Sequence, residues 1–165
     1  MARKKVIEIV LDTETTGLDF TKERIIEFAA VRLENGKVKS SIAIHGITED
    51  MVKDAPTEAE VMPQIMEFIG EYPIVAHNAI FDYQFLNEAS LRCFGKPLEN
   101  ARIDSQYMFK EVYPELESHG LENLCTRFHV DFHDHHRAMA DTMGLALAYP
   151  QLKKLFLQKN KWEES

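Results

Sequence analysis

Hydrophobic and polar positions follow two different rhythms along this chain, and the rhythms divide it into halves. Val6 to Leu11 (VIEIVL) is nearly all apolar and β-branched, the pattern of a strand buried on both faces. Ile25 to Leu33 and Lys37 to Ile44 read as two more strands. Asn35-Gly36 between them predicts a tight hairpin, because both positions tolerate positive φ. The first half therefore reads as an antiparallel β-meander. In the second half short strands and helices alternate. Ile74 to Ala76 and Ala101 to Ile103 are short strands. Phe81, Phe85, Ala89 and Cys93 fall four apart and predict a helix over Phe81 to Phe94, stopped by Gly95 and Pro97. Leu121, Leu124, Cys125 and Phe128 follow the i, i+3, i+4, i+7 spacing of an amphipathic helix. Ala138 to Ala148 is a helix that Pro150 should end or kink. Thr57 and Glu60 form a capping-box signature before Val61, Ile65 and Ile69; Pro63 either kinks that helix or marks where its main body starts. The fold class is α/β: a mixed sheet, antiparallel meander then parallel strands, flanked by α-helices.

Composition narrows this picture. With 165 residues, 45% hydrophobic and 28% charged, the chain is one globular domain and not a disordered, collagen-like or coiled-coil sequence. Residues 1–158 form that domain, and the polar tail KNKWEES, residues 159–165, is expected to fray. Two cysteines without a CxxC pair suit a reduced, cytoplasmic chain. The opening MARKKVIEIVLD is too short and too interrupted, by Glu8 and Asp12, for a signal peptide or membrane span. Charge changes the picture more. Nineteen basic against 27 acidic residues give −8, so bulk electrostatics cannot hold a long duplex. An acidic balance suits a different design, in which carboxylates hold cations and the cations meet phosphates.

Three segments could carry such chemistry. Asp12-Thr13-Glu14-Thr15-Thr16-Gly17 follows the first strand directly. Residues i and i+2 of a strand share a face, so Asp12 and Glu14 project together. Side-by-side carboxylates repel unless protonated or bridged, and hard oxygen ligands suit Mg²⁺ or Mn²⁺. A simple turn or helix cap is the competing reading. Asp82 stands in the first turn of a helix just after Ile74 to Ala76, at a strand end where α/β sheets place ligands; equally, it could only complement the helix dipole. In His133-Asp134-His135-His136-Arg137-Ala138-Met139-Ala140-Asp141, His136 could take a proton from water and Asp141 could hold a metal. A solvated, His-rich loop or a transition-metal site from His129, His133, His135 and His136 would fit the same residues.

Taken together, Leu11-Asp12-Thr13-Glu14-Thr15-Thr16-Gly17-Leu18, His77-Asn78-Ala79-Ile80-Phe81-Asp82 and His136-Arg137-Ala138-Met139-Ala140-Asp141 resemble the three motifs of the DEDDh, or DnaQ-like, 3′–5′ exonuclease family. Order and internal spacing agree. So do His45-Gly46-Ile47-Thr48, Ile103-Asp104-Ser105 and Ser118-His119-Gly120-Leu121-Glu122-Asn123-Leu124-Cys125. The resemblance covers roughly residues 5–148 and is nearest to the proofreading branch, the epsilon subunit of bacterial DNA polymerase III and its relatives.

The resemblance implies a ribonuclease-H-like fold and two divalent ions, Mg²⁺ or Mn²⁺. Asp12, Glu14 and Asp141 would hold them directly, Asp82 would support the second, and His136 would be the general base. Thr13, Thr15, Leu18, His77, Asn78 and Phe81 would bind the terminal nucleotide. The implied activity is release of nucleoside 5′-monophosphates from 3′ ends of single-stranded or frayed DNA, in proofreading or repair. The alternative is an exoribonuclease acting on short RNA or RNA ends. A catalytically silent nucleic-acid-binding module is more distant, since the full acidic set with its histidine is retained. The implied partners are single-stranded DNA or RNA 3′ ends, with a DNA polymerase as a further one, and no membrane. Three departures accompany the match. Ser40 to Ile44 runs straight into His45, Pro150 interrupts a usually longer last helix, and no polymerase-tethering tail follows. The expectation is a stand-alone nuclease or an excised domain.

Overall fold

The computed structural model describes residues 4–49, 54–132 and 137–164, the last four of these by backbone alone. The meander is built as the apolar pattern predicts. β1 (Ile7–Thr15) pairs antiparallel with β2 (Ile25–Glu34), and β2 with β3 (Lys37–Ile44). Asn35 (φ 52°) and Gly36 (φ 78°) turn the β2–β3 hairpin in the left-handed region. β1 is longer than its apolar run, so Asp12 and Glu14 lie within the strand and not beyond its end.

The chain then crosses over twice. α1 (Glu58–Ile69) leads to β4 (Ile74–Ala76), which runs parallel to β1. α2 (Ala79–Phe94) leads to β5 (Arg102–Asp104), parallel to β4 and one residue later than the pattern placed it. The sheet order is β3-β2-β1-β4-β5. α3 (Ser105–Val112), α4 (Leu121–Arg127) and α5 (Ala138–Glu164) complete the fold. α1 starts at Glu58, capped by Thr57, whose hydroxyl oxygen accepts from the Glu60 N–H at 3.3 Å, and it runs on through Pro63.

Strand alternation gives the sheet two buried faces. Ile9, Leu11, Ile74 and Ala76 pack with Ile65, Ile69, Phe85 and Leu86 of α1 and α2. Val10, Val31 and Val75 pack with Phe109 of α3, Leu124 of α4, and Leu145, Tyr149 and Leu152 of α5. On β1, odd positions therefore face α1 and α2, and even positions face α5.

Two further elements, α3 and α5, differ from the sequence expectation. α3 was not anticipated. Asp104 caps it, its carboxylate accepting from the Gln106 N–H at 2.9 Å, and Met108 and Phe109 bury its inner side. Pro150 does not end α5, which continues to Glu164. The neighbouring Tyr149 and Leu152 are fully buried, and a side chain on Gly36 would meet the Pro150 ring at 3.4 Å. Packing against the sheet and the hairpin turn offsets the lost backbone hydrogen bond.

Candidate active site

The ends of β1 and β4 meet the starts of α2 and α5, and the acidic motifs converge there. Asp12 and Glu14 lie on the even face of β1, toward α5, and Asp141 in the first turn of α5 approaches them. One carboxylate oxygen from each lies within 4.8 Å of the other two. Burial, followed by the charges of Asp82, Asp141 and Glu14, pushes the Asp12 carboxyl up to about 9. Asp12 Oδ2 is buried without a hydrogen-bond partner. An all-carboxylate set with an unsatisfied buried oxygen fits a hard divalent cation, which would neutralise the repulsion and take up that lone pair. Among the described residues, Asp12, Glu14 and Asp141 form a group that could hold it.

Asp82 reaches this place from the other side of the sheet. It is 3% exposed, and one carboxylate oxygen accepts from both the Thr13 N–H, at 3.0 Å, and the Thr13 hydroxyl, at 2.7 Å. Thr13 is an odd position, so it faces α2 while its neighbours face α5. Burial raises the Asp82 carboxyl to about 7; the Thr13 bonds oppose that rise. Asp82 thus lies behind the trio, linked to it through Thr13 and by charge.

The nucleotide-binding candidates fall in the same region, with different engagements. Leu18 is 85% exposed beside the acidic group's strand end. Thr15 donates its hydroxyl to the Gly17 carbonyl at 2.7 Å, which shapes the turn after β1. Phe81 packs against Phe85 with ring centroids 5.0 Å apart and the ring planes tilted by 47°. Asn78 opens α2 in a left-handed conformation, φ 66°, and its N–H donates to Asp104 Oδ1 at 3.0 Å. Both ring nitrogens of His77 are engaged within the protein. Nδ1 lies 2.9 Å from Ser105 Oγ and Nε2 2.7 Å from the His119 carbonyl. Burial lowers the His77 pKa, and the ring ties β4 to α3 and the loop before α4. His136, the expected general base, and the adjacent His133 and His135 lie outside the described residues.

One residue was not anticipated. Glu27 of β2 accepts from the Ala138 N–H at 2.8 Å, at the start of α5. Its signal in the sequence was a lone carboxylate in the apolar run Ile25 to Val31.

Known proteins resemble this chain in sequence and in fold. The family model RNase_T, described as Exonuclease, matches residues 9–43 and 38–149. The DNA polymerase III PolC-type of Bacillus subtilis is 37% identical over 163 residues, 89% of this chain and 11% of that protein. The Bacillus cereus protein of the same name is 31% identical over 92% of this chain and 12% of its own length. The chain thus spans about a tenth of the curated relatives it matches. Among solved structures, E. coli exonuclease I in complex with a dT13 oligonucleotide superimposes with a TM-score of 0.80 at 18% identity, covering 95% of this chain and 43% of that one. Exonuclease X in complex with 5′-overhanging duplex DNA gives 0.68 at 23% identity, covering 89% and 91%. The mixed sheet and its helices are the ribonuclease-H-like fold expected from the sequence. No described helix is long and apolar enough to cross a membrane.

Proposed function

The chain belongs to the RNase_T exonuclease family, and from that premise we propose a 3′–5′ exonuclease that uses two divalent cations, Mg²⁺ or Mn²⁺. It releases nucleoside 5′-monophosphates from 3′ ends of single-stranded or frayed DNA. The observation that carries this reading is the convergence of carboxylate oxygens from Asp12, Glu14 and Asp141, together with an Asp12 Oδ2 that is buried without a partner. The relatives are named DNA polymerases, which favours DNA over RNA and proofreading or repair as the setting. A DNA polymerase is the partner this points to. Residues 1–158 are taken as the catalytic domain, in a cytoplasm that keeps Cys93 and Cys125 as thiols.

Asp12, Glu14 and Asp141 would hold the cations, and Asp82 would fix Thr13 and with it the strand that presents them. Bound there, divalent ions supply charge for the scissile phosphate and its departing oxygen. His136 removes a proton from the attacking water. Glu14 accepts a hydrogen bond from the terminal 3′-hydroxyl. The exposed Leu18 and the Phe81 ring border the terminal base; an aromatic platform contributes about 1–3 kcal/mol per stacked base. This grip is local, which reconciles nucleic-acid processing with a net charge of −8.

The test uses 5′-labelled single-stranded DNA, duplex DNA and RNA with Mg²⁺ or Mn²⁺. Ladders shortening from the 3′ end of DNA, abolished by EDTA and blocked by a 3′-phosphate, are expected. Full activity in EDTA, or equal digestion of 3′-phosphate and 3′-hydroxyl ends, would overturn the proposal.

A further inference from the structure

β1 and β2 pair in a register that sets Asp12 opposite Ala29 and Glu14 opposite Glu27. The same two β2 residues hold the start of α5. Glu27 Oε1 accepts from the Ala138 N–H at 2.8 Å and lies 3.5 Å from Arg137 Nε and 3.4 Å from His45 Nδ1. Two residues along, the Ala29 carbonyl lies 3.4 Å from the Thr142 hydroxyl, which donates to Ala138 O at 2.6 Å. So the residues across the strand from two site carboxylates grip the helix that brings the third.

Glu27 is an unusual choice for that place. Directly opposed like charges destabilise a strand pair, and Glu27 faces Glu14. A helix N-terminus and the Arg137 guanidinium offset this, since both favour a carboxylate. Glu27 is not among the carboxylates whose oxygens converge. Its carboxylate fixes where α5 begins, and Asp141 follows Ala138 within one turn.

We propose that Glu27 is a positioning residue for catalysis, setting the start of α5, and through it Asp141, against Asp12 and Glu14. The proposal rests on the exonuclease reading. It acts through a hydrogen bond to a backbone N–H, so the acceptor and its reach matter more than its charge. Glu27→Gln keeps an oxygen at the same reach, Glu27→Asp keeps the charge but withdraws it by one methylene, and Glu27→Ala removes both.

The experiment measures kcat and KM on single-stranded DNA at saturating Mg²⁺, together with amide hydrogen exchange across residues 137–142 in EDTA. Misplacing a reacting group by about 1 Å costs about 10²-fold. Glu27→Asp and Glu27→Ala should therefore lose about 10²-fold in kcat, with KM within about threefold. Glu27→Gln should stay within about threefold of the parent in both constants. The Ala138 amide should exchange faster in the Asp and Ala variants and keep its protection in the Gln variant. A Gln variant as inactive as the Asp variant would overturn the proposal, as would full kcat in a folded Asp variant. Amide exchange is read without turnover, so loss of the predicted ranking there refutes positioning even if the parent proves inactive. An inactive parent with the ranking intact refutes the exonuclease reading alone.

Discussion

Strand β1 carries carboxylates at both ends, Glu8 buried and Asp12 and Glu14 partly buried, on one face and against one helix, and the two ends are treated in opposite ways. Glu8, 3% exposed, accepts a hydrogen bond from the Tyr149 hydroxyl and lies 3.1 Å from the Lys153 ammonium. Burial and the Glu8 carboxylate raise the Tyr149 pKa, so the phenol keeps its proton and remains a donor. Six positions of chain separate that satisfied carboxylate from Glu14, yet the far end gathers Asp12, Glu14 and Asp141 within 4.8 Å, with Asp82 behind them. Buried polar groups are normally hydrogen-bonded, and α5 meets that rule at Glu8 while breaking it at Asp12. Local rules fail where function needs them to fail. The Glu8 end anchors α5, and the Asp12 end stores repulsion that a bound cation would relieve.

The largest test of this contrast is Asp12→Asn. A cation contributes several kcal/mol to transition-state stabilisation, so activity should fall by about 10³-fold or more. Stability of the metal-free protein should change in the other direction. The Asp12 carboxyl stands at about 9 in the folded chain against 3.8 unfolded, so between those values the folded state holds a proton that the unfolded state has lost. The Asp12 contribution to stability in EDTA is therefore fully present below 3.8 and is lost as pH rises toward about 9. Denaturant titrations across that range should show the decline in the parent and a shallower one in Asp12→Asn. Identical slopes would mean that Asp12 is not the strained group.

A middle-sized effect separates adjacent histidines. His136→Ala should lower kcat by at least about 10²-fold with metal affinity retained, whereas His135→Ala should remain within a few-fold of the parent. The reverse order would mean that the motif is out of register with Asp141. The smallest effect belongs to the satisfied end. Tyr149→Phe removes one partner of buried Glu8 and should cost about 1–3 kcal/mol in urea unfolding. Activity of the folded protein should be unchanged. If Tyr149→Phe lowered kcat while leaving stability intact, the division of labour between the two ends would be wrong.

Much of the molecule was legible because its signals are local. The β-branched run of β1, the Asn35-Gly36 hairpin and the fourfold spacing of Phe81, Phe85, Ala89 and Cys93 each dictate an element through neighbouring residues. Asp12 and Glu14 were legible as a pair because strand geometry alone puts them on one face. What escaped depends on distant chain. The run through Pro150 relies on the buried Tyr149 and Leu152 and on the turn at Gly36, over a hundred positions away. α3 depends on Asp104, which reads as a strand end until its carboxylate is seen accepting from Gln106 and Asn78. Glu27 had no meaning without Ala138 beside it.

The alternation of β1 also makes turnover a census of correct folding. Thr13 answers to α2 while Asp12 and Glu14 answer to α5. A slip of one residue against β2 or β4 would turn every side chain to the opposite face. Thr13 would then point at α5, and both carboxylates would point into the apolar layer of α1 and α2. Such a molecule could keep its secondary structure and much of its compactness, but it would have no intermediate level of activity. Specific activity per milligram therefore counts the fraction of chains whose central strand is in register, and it can grade refolded preparations that spectroscopy finds alike.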